Sequence, residues 1–354
     1  MGGLLLALAI LMPGAAGGED ARYPAVQPGA ALVFPRDHGA HPSYRTEWWY
    51  ITGWVHDSRG RDFGVQVTFF RNRPLLQEDN PSEFAPRQLL FAHAAIADPQ
   101  HGQLWHDQRS AREGFGLAYA RQDSTDVRID DWSLRLAGDR YVAQINAREL
   151  GLELVFEVRA APLLQGHAGF SRKGPRPGQA SYYYSLPQLS VSGTLRAGTE
   201  TLAVTGRAWL DHEWSSEYLA AEAAGWDWLG VNLDDGGAMM AFRMRDKRGG
   251  VLWAAATLRA ADGSVRTFAP AQVAFTPLRR WRSPRSAAEY PVAMRVRAGD
   301  VELELVPMMD DQELDARSST GTIYWEGAVR ALRNGRPVGR GYLELTGYWQ
   351  PLRL

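Results

Sequence analysis

The chain has 354 residues, which is enough for about two domains that each bury a substantial core. Its 39 basic and 40 acidic residues nearly cancel, so charge gives no indication of a nucleic-acid partner or of an anionic membrane surface. The absence of cysteine excludes disulfides, thiolate nucleophiles and zinc–thiolate sites. The 13 tryptophans and 13 tyrosines supply rings that can fill a barrel or line an apolar pocket.

The first 18 residues form a segment of distinct composition. An apolar run over residues 4–12 is followed by small residues and then by Glu19 and Asp20. The run is too short to span a bilayer and resembles a signal peptide, although no Lys or Arg precedes it. A start codon upstream of Met1 would explain the missing charge, and a disordered tail is the alternative. We therefore predict a signal peptide over residues 1–18 and an exported protein, periplasmic or secreted.

Short β-rich runs separated by turn residues dominate the rest of the chain. Residues 47–55 and 63–70 flank a short turn and predict a hairpin, and residues 226–233 and 238–244 predict a similar one about half the chain later. Only residues 216–224 indicate a short helix. The pattern predicts an all-β fold of two similar domains, which we place at residues 19–198 and 199–354.

Residues 204–215 carry the most informative alternation. Read with a period of two, His212 and Trp214 share an apolar face, whereas Asp211 and Glu213 point the other way. A titratable imidazole on the buried face of a strand needs a partner or a function. A satisfied core histidine is the ordinary interpretation.

Other polar side chains also lie on apolar strand faces. Asp227 shares a face with Leu229 and Val231, so its carboxyl group is desolvated and needs a partner, for which His212 is a candidate. Glu47 and His93 are placed in the same way. Each of them fits a structural role, but together they favour a cavity lined for a ligand.

The chemistry of such a cavity follows from its residues. A desolvated, protonated acid can protonate a carbon–carbon double bond, aromatic faces can stabilise the cation, and His212 can position the water that adds. Without the acid step, the same cavity is that of a carrier for an apolar ligand.

Metal and nucleotide sites receive little support. His38 and His41 offer two imidazoles within residues 36–42, but a loop rich in turn formers is the ordinary interpretation. The chain lacks the serine elbow, the Walker loop, the dinucleotide fingerprint and the zinc-protease motif. We predict no metal and no cofactor.

Four motifs resemble the carotenoid 1,2-hydratase (hydroxyneurosporene synthase) superfamily, and more closely its AttH-like branch, whose members are often described as secreted hydrolases. They are Glu-Trp-Trp-Tyr at 47–50, Tyr-Tyr-Tyr-Ser-Leu-Pro at 182–187, Asp-His-Glu-Trp-Ser at 211–215 and Gly-Tyr-Leu-Glu-Leu-Thr-Gly at 341–347. The resemblance covers nearly the whole mature chain. It implies two consecutive lipocalin-like antiparallel β-barrels with a ligand cavity near their junction. It also implies addition of water to acyclic carotenoids or, as in more distant relatives, cyclisation of polyenes.

The resemblance also implies site residues. The His-x-Trp pair of the hydratases falls on His212 and Trp214, whereas their Tyr-x-Asp pair is missing from the strand that carries Phe242. We take Asp227 as its substitute, so the predicted catalytic residues are His212, Trp214 and Asp227. The predicted substrate-binding residues are Glu47, Trp49, Tyr50, His93, Tyr182, Tyr184, Trp226 and Trp228.

The predicted function is hydratase or lyase chemistry on an apolar or amphipathic small molecule, an isoprenoid or a polyene. The alternative is a non-catalytic periplasmic carrier that serves export machinery in the membrane. An ester hydrolase is implied only by the family label, since no serine lies in a nucleophile motif. Nucleic acid is not an expected partner.

Overall fold

The computed structural model of the protein describes residues 23–76 and 79–352, so the predicted signal peptide lies outside the described residues. Across these ranges the fold is all-β, as predicted, with 3-10 helices at Arg36–His38 and Pro270–Gln272. None of the described helical segments is long and apolar enough to cross a membrane.

The first antiparallel sheet contains thirteen strands in the described part of the chain. Along its main path the order is β4-β3-β2-β1-β13-β12-β9-β8-β7-β6-β5. The sheet curls so that its two ends approach, and the Arg109 guanidinium of β4 lies 4.9 Å from the Trp132 ring of β7. The strands are β1 Thr46–Asp57, β2 Asp62–Asn72, β3 Leu89–Ala97, β4 Leu104–Arg112, β5 Ala118–Ala120, β6 Asp126–Ile129, β7 Trp132–Ala137, β8 Arg140–Asn146, β9 Leu150–Glu157, β10 Leu163–Leu164, β11 Phe170–Arg172, β12 Ala180–Ala197 and β13 Glu200–Glu217.

The second antiparallel sheet contains ten strands, again among the described residues. Its main order is β17-β16-β15-β14-β23-β22-β20-β19-β18. The strands are β14 Ala223–Leu233, β15 Ala238–Asp246, β16 Val251–Arg259, β17 Val265–Phe268, β18 Val273–Arg282, β19 Glu289–Ala298, β20 Val301–Pro307, β21 Glu313–Ala316, β22 Thr322–Arg333 and β23 Arg336–Leu345.

The two sheets share one plan. In each, the opening strand pairs with the next strand in a hairpin and also with the last strand of the same sheet: β1 lies between β2 and β13, and β14 lies between β15 and β23. These opening hairpins are the two that the sequence predicts. The two ends of each path are strands that follow each other in the chain, β4 and β5 in the first sheet and β17 and β18 in the second. Each sheet is a lipocalin-like barrel whose hydrogen-bonded ladder is interrupted between those two strands.

The sheets change between Glu217 and Ala223. The predicted boundary after residue 198 falls in the turn between β12 and β13, and both of these strands belong to the first sheet because β13 pairs with β1 from Ser215 to Val204. The short helix predicted over residues 216–224 is wrong. Strands occupy both ends of that stretch, with only a tight turn between them.

The wall formed by β1 and β13 is buried on both faces. Trp49 and His212 point into the core of the first barrel, whereas Tyr50 and Asp211 point towards the second sheet. The buried space between the sheets, here called the inter-sheet layer, is a third apolar cluster beside the two barrel cores. It includes Tyr50, Trp54, Tyr183, Trp209, Trp228, Met240, Phe242, Tyr324 and Tyr342.

Polar contacts fix the two sheets to each other. The Trp54 indole donates to the Gly341 carbonyl at 2.9 Å, and the Asn232 amide donates to the Ala208 carbonyl at 3.0 Å. The close approach needs a glycine at Gly64, since a Cβ there would lie 2.5 Å from the Tyr342 hydroxyl. The barrels are therefore packed in a fixed relation, and the inter-sheet layer has a defined shape.

Candidate functional site

His212 lies in a hydrogen-bond network inside the first barrel. Its Nε2 donates to Glu47 Oε1 at 2.9 Å, and its Nδ1 accepts from the Tyr184 hydroxyl at 3.1 Å. Glu47 also accepts from His41 Nδ1 at 2.7 Å and from Arg71 Nε at 2.8 Å. Both ring nitrogens of His212 are therefore satisfied by internal partners.

Aromatic rings enclose this network. The Trp49 ring stacks on His212 at 4.8 Å between centroids, and the Trp214 ring stacks on His41 at 3.7 Å. Tyr182 packs against Trp214 at 5.6 Å. The structure thus brings together, within the first barrel, the predicted residues Glu47, Trp49, Tyr182, Tyr184, His212 and Trp214.

The charges of the network can be assigned. Burial opposes ionisation of Glu47, but His41 and Arg71 outweigh it and hold the pKa of Glu47 well below its usual range. Burial also opposes the charge on His41, yet Glu47 and Asp37 raise the pKa of that imidazole. Burial lowers the pKa of His212 despite its bond to Glu47. The network therefore contains an ionised Glu47 between two cations, with a neutral His212.

His41, Glu47 and His212 are the residues whose donor types would suit a metal, since one ligand atom of each lies within 4.8 Å of the others. In the structure, Arg71 already occupies the second oxygen of Glu47, and ring nitrogens of His41 and His212 both contact its first oxygen. The cluster therefore forms a buried ion network.

Asp227 is not the partner of His212, which corrects the sequence prediction. Its carboxylate accepts from Arg243 Nε at 2.6 Å, from Arg245 Nε at 2.9 Å and from the Tyr348 hydroxyl at 3.0 Å. Alternation along β14 turns Asp227 into the second barrel, whereas alternation along β13 turns His212 into the first. The strands of His212 and Asp227 are close in the chain, but this closeness does not determine which barrel each side chain enters.

Among the described residues, four acids face the inter-sheet layer: Glu213, which pairs with the buried Lys173, the buried Asp211 and Glu326, and the partly exposed Glu344. The last three were not among the predicted site residues. Burial, reinforced by the nearby Glu344, raises the pKa of Glu326 well above its usual range. Burial also raises the pKa of Glu344 to about 7, and raises that of Asp211 to about 7 against three hydrogen bonds to its carboxylate. Among these three acids, Glu326 is therefore protonated at neutral pH, while Glu344 and Asp211 are near their midpoints.

The three acids differ in how well they are satisfied. Asp211 accepts from Trp209, Tyr183 and Ser185 at 2.5–2.6 Å, and Glu344 accepts from the Trp226 indole at 2.7 Å. Glu326 Oε1 accepts from the Tyr50 hydroxyl, but its Oε2 has no hydrogen-bond partner among the described residues.

The sequence did contain a signal for Glu326. Residues 323–329 are nearly continuous in large and small apolar side chains, which is typical of a strand buried on both faces. The remaining predicted residues Tyr50, His93, Trp226 and Trp228 also belong to the inter-sheet layer. The β1–β13 wall therefore separates these four residues from the six in the first barrel, while Asp227 lies in the second barrel.

A cleft of about 530 Å³ opens from the surface into the inter-sheet layer. Its aromatic sides are Trp54, Trp209 and Tyr342, and arginines stand at its mouth. The full lining is Thr52, Gly53, Trp54, His56, Gly206, Arg207, Trp209, Asn232, Asp234, Arg330, Pro337, Gly339, Arg340, Gly341 and Tyr342. Its volume is that of a small-molecule site.

Glu326 does not line the cleft, but it lies on the same face of the β22–β23 pair as the lining residues Arg330 and Tyr342. On the β22–β23 pair, Ala328 lies opposite Tyr342, and the next pair on the same face is Glu326 opposite Glu344. Thr52 stands two residues from Tyr50 on β1 and faces Gln66 across the β1–β2 pair. Thr52 Oγ1 and Gln66 Oε1, like Glu326 Oε2, are buried without a hydrogen-bond partner in the described structure. Unsatisfied polar atoms are costly when buried, so each of these three atoms has hydrogen-bonding capacity left for a water molecule or a polar ligand group.

The fold and the cleft define a class: a two-barrel lipocalin-like protein with a small-molecule cleft at the barrel junction. Residues 25–348 match the AttH-like family, and the crystal structure of an AttH-type protein from Nitrosomonas europaea is 54% identical in sequence. That structure superposes with a TM-score of 0.87 over 92% of this chain and 99% of the other. The chain belongs to the AttH-like family, as its motifs predict.

More distant structures share the fold. Kievitone hydratase from Nectria haematococca has a TM-score of 0.70 at 15% identity, over 93% of this chain and 97% of its own. The structure of CghA with Sch210972 has a TM-score of 0.51 at 15% identity, over 85% of this chain and 89% of its own. A comparison with curated proteins found no match.

Proposed function

We propose that this protein is a hydratase-type lyase that adds water to a carbon–carbon double bond of an isoprenoid or polyene bound in the inter-sheet cleft. The observation that carries the proposal is Glu326, a buried acid with one unpartnered oxygen, which shares a strand face with the cleft-lining residues Arg330 and Tyr342. The structural similarity to kievitone hydratase supports the fold alone and not the activity, since the sequence identity is 15%.

Glu326 is suited to donate a proton. The Tyr50 hydroxyl donates to Oε1, so the acidic proton of Glu326 is carried by Oε2, the oxygen without a partner. Burial raises the pKa of Tyr50 well above its usual range, which keeps that hydroxyl a donor. When Glu326 has lost its proton, the Tyr50 hydrogen bond stabilises the carboxylate that remains.

The proposed reaction has two steps. The Oε2 proton of Glu326 adds to one alkene carbon, and the π electrons form the new C–H bond, which leaves a cation on the other carbon. Aromatic faces such as Trp209 and Tyr342 stabilise that cation by roughly 0.5–2 kcal/mol per contact. Water then adds to the cation and its surplus proton returns to Glu326, so the net change is addition of one water molecule.

His212 and Trp214 take an indirect part in this proposal. They lie on the first-barrel face of β13, on the opposite side of the wall from Asp211 and Glu326. Through Glu47 the His212 network connects β13 to β1, the strand that carries Tyr50. We assign His212 a positioning role for the wall of the cleft.

The test is incubation of the purified protein with acyclic isoprenoids and polyenes, both uncharged and carboxylated, in oxygen-18 water. Products are separated by chromatography and identified by mass spectrometry. A hydroxylated product that carries the label, is lost by at least about a hundredfold in Glu326→Gln and is retained in Glu302→Gln supports the proposal. Glu302 is a matched control because its side chain is 52% exposed and lies on the second barrel, away from the cleft.

Tight binding of a polyene without any labelled product would contradict the hydratase function and favour a non-catalytic carrier. Equal turnover by wild type and Glu326→Gln would remove Glu326 from the mechanism.

A further inference from the structure

The inter-sheet cleft is charged at one end only, and we propose that it takes an amphipathic substrate with a carboxylate head group held by Arg330 and Arg340. The inference rests on the proposed function for the position of the reacting double bond. It narrows the substrate class to unsaturated chains that end in a carboxylate.

The two arginines form an unusual pair. Arg330 of β22 lies directly opposite Arg340 of β23, and like charges in this relation destabilise a sheet. Both guanidiniums lie against the Trp54 ring, at 5.4 Å and 5.0 Å from its centroid. The Asp62 carboxylate accepts from both guanidiniums, which shows that this arginine pair can hold a carboxylate between its side chains.

The charge of the mouth matches a single anion. Arg330 and Arg340 share one acidic partner, Asp62, at 3.3 Å and 3.0 Å. Arg207 lines the same mouth and donates to the neutral Gln188 side chain at 3.1 Å. With Asp234 also in the lining, three guanidiniums face two carboxylates, which leaves one positive charge uncompensated.

The guanidiniums remain available to a ligand. The side chains of Arg330 and Arg340 are 52% and 46% exposed, and each uses one N–H group for Asp62. An arginine carries five N–H donors in a planar fork that fits a carboxylate. The mouth can therefore bind a carboxylate without losing Asp62.

The spacing along the strands relates the head group to the reacting end. On one face of the β22–β23 pair, the sequence of cross-strand pairs is Arg330–Arg340 at the mouth, Ala328–Tyr342 in the cleft and Glu326–Glu344 inside. Four residues of β-strand separate the arginine pair from the acid pair, a distance of about 13 Å. An extended chain of roughly ten carbon–carbon bonds covers that distance.

The test uses trans-parinaric acid, a conjugated tetraene carboxylate, and its methyl ester as fluorescent probes of the full-length protein. Wild type is expected to bind the acid about tenfold more tightly than the ester, the factor typical of a charge-assisted hydrogen bond. The double variant Arg330→Gln/Arg340→Gln should bind the acid no more tightly than the ester, with the ester affinity unchanged. Arg333→Gln, an exposed arginine on the same strand outside the cleft lining, should behave as wild type.

Equal affinity of wild type for acid and ester would overturn the inference, and so would a double variant that keeps the preference. The wild-type comparison does not depend on whether the variant folds. The ester affinity of the variant reports whether its cleft is intact, and Arg330→Lys/Arg340→Lys, which retains the charge, should keep most of the preference.

Failure of this inference is distinguishable from failure of the proposed function. Glu326→Gln should keep the preference for the acid while losing turnover. A preference for the acid without hydration of any substrate supports the head-group site and contradicts the hydratase. Hydration of charged and uncharged polyenes at equal rates supports the hydratase and contradicts the head-group site.

Discussion

Two buried carboxyl groups, Asp227 and Glu326, differ in the donors that surround them. Asp227 accepts from two guanidiniums and one hydroxyl, so both of its oxygens are occupied by donors. Glu326 receives one hydroxyl and no cation lies beside it in the described structure, so it stays protonated. A carboxylate fixed by two arginines is poorly suited to donate protons, whereas a neutral acid with a free oxygen is ready to do so.

Asp227→Asn should therefore affect stability and not ligand binding. Removing the anion leaves Arg243 and Arg245 without their counter-charge in the second barrel, which should lower the free energy of unfolding by about 3 kcal/mol. Urea denaturation measures this loss against the exposed control Asp262→Asn, while trans-parinaric acid should bind the variant as it binds wild type. Unchanged stability together with lost binding or turnover would return Asp227 to the site.

At the residue scale, the sequence predicted which side chains share a strand face, but it did not predict what packs against that face. The alternation of residues 204–215 correctly placed His212 with Trp214 and opposite Asp211. It could not show that a second sheet covers the face of Asp211, because burial by a distant part of the chain leaves no local pattern. For the same reason the partners Glu47 and Tyr184 of His212 could be named as site residues but not paired with it.

At the scale of elements, β22 and β23 carry acids whose protonation is linked to folding. Burial raises the pKa of Glu344 to about 7, whereas an unfolded glutamate has its ordinary value near 4.5. Between these two pH values the folded protein holds a proton that the unfolded chain has released. The contribution of Glu344 to stability is therefore complete below about pH 4.5, falls as the pH rises and is lost above about pH 7.

A pKa raised from 4.5 to about 7 corresponds to at most about 3 kcal/mol, since Glu344 is partly exposed to solvent. Glu344→Gln removes this titration. The unfolding free energy of the variant, relative to that of wild type at the same pH, should therefore rise between pH 5 and pH 8. The variant is compared with wild type at each pH because His93 also titrates in both proteins. Burial lowers the pKa of His93 to about 3, and this makes the stability of both proteins rise with pH over part of this range. A pH-independent difference in urea denaturation would contradict the assignment.

The architecture of elements was predicted more fully than the site they form. Turn residues and alternation predicted the hairpins β1–β2 and β14–β15, because local chemistry determines hairpins. The residue at which the chain passes from the first sheet to the second was not predicted. A tight turn joins β12 to β13, and such a turn looks the same at a domain boundary as within a sheet. The place of β13 in the first sheet depends on its pairing with the distant β1.

At the scale of the whole molecule, the site is a product of two barrels in contact. One barrel supplies Tyr50, Trp54 and Trp209, and the other supplies Glu326, Tyr342 and the arginine pair. Neither barrel alone encloses the cleft. This dependence explains why a motif in one half of the sequence does not reveal the chemistry of the site.

The most direct measurement is a crystal structure of the protein soaked with trans-parinaric acid. We predict electron density for the tetraene between Trp54, Trp209 and Tyr342, with the carboxylate at Arg330 and Arg340 and the polyene end directed towards Glu326. Density inside the first barrel, beside His212 and Trp214, would contradict the assignment of the site to the inter-sheet layer.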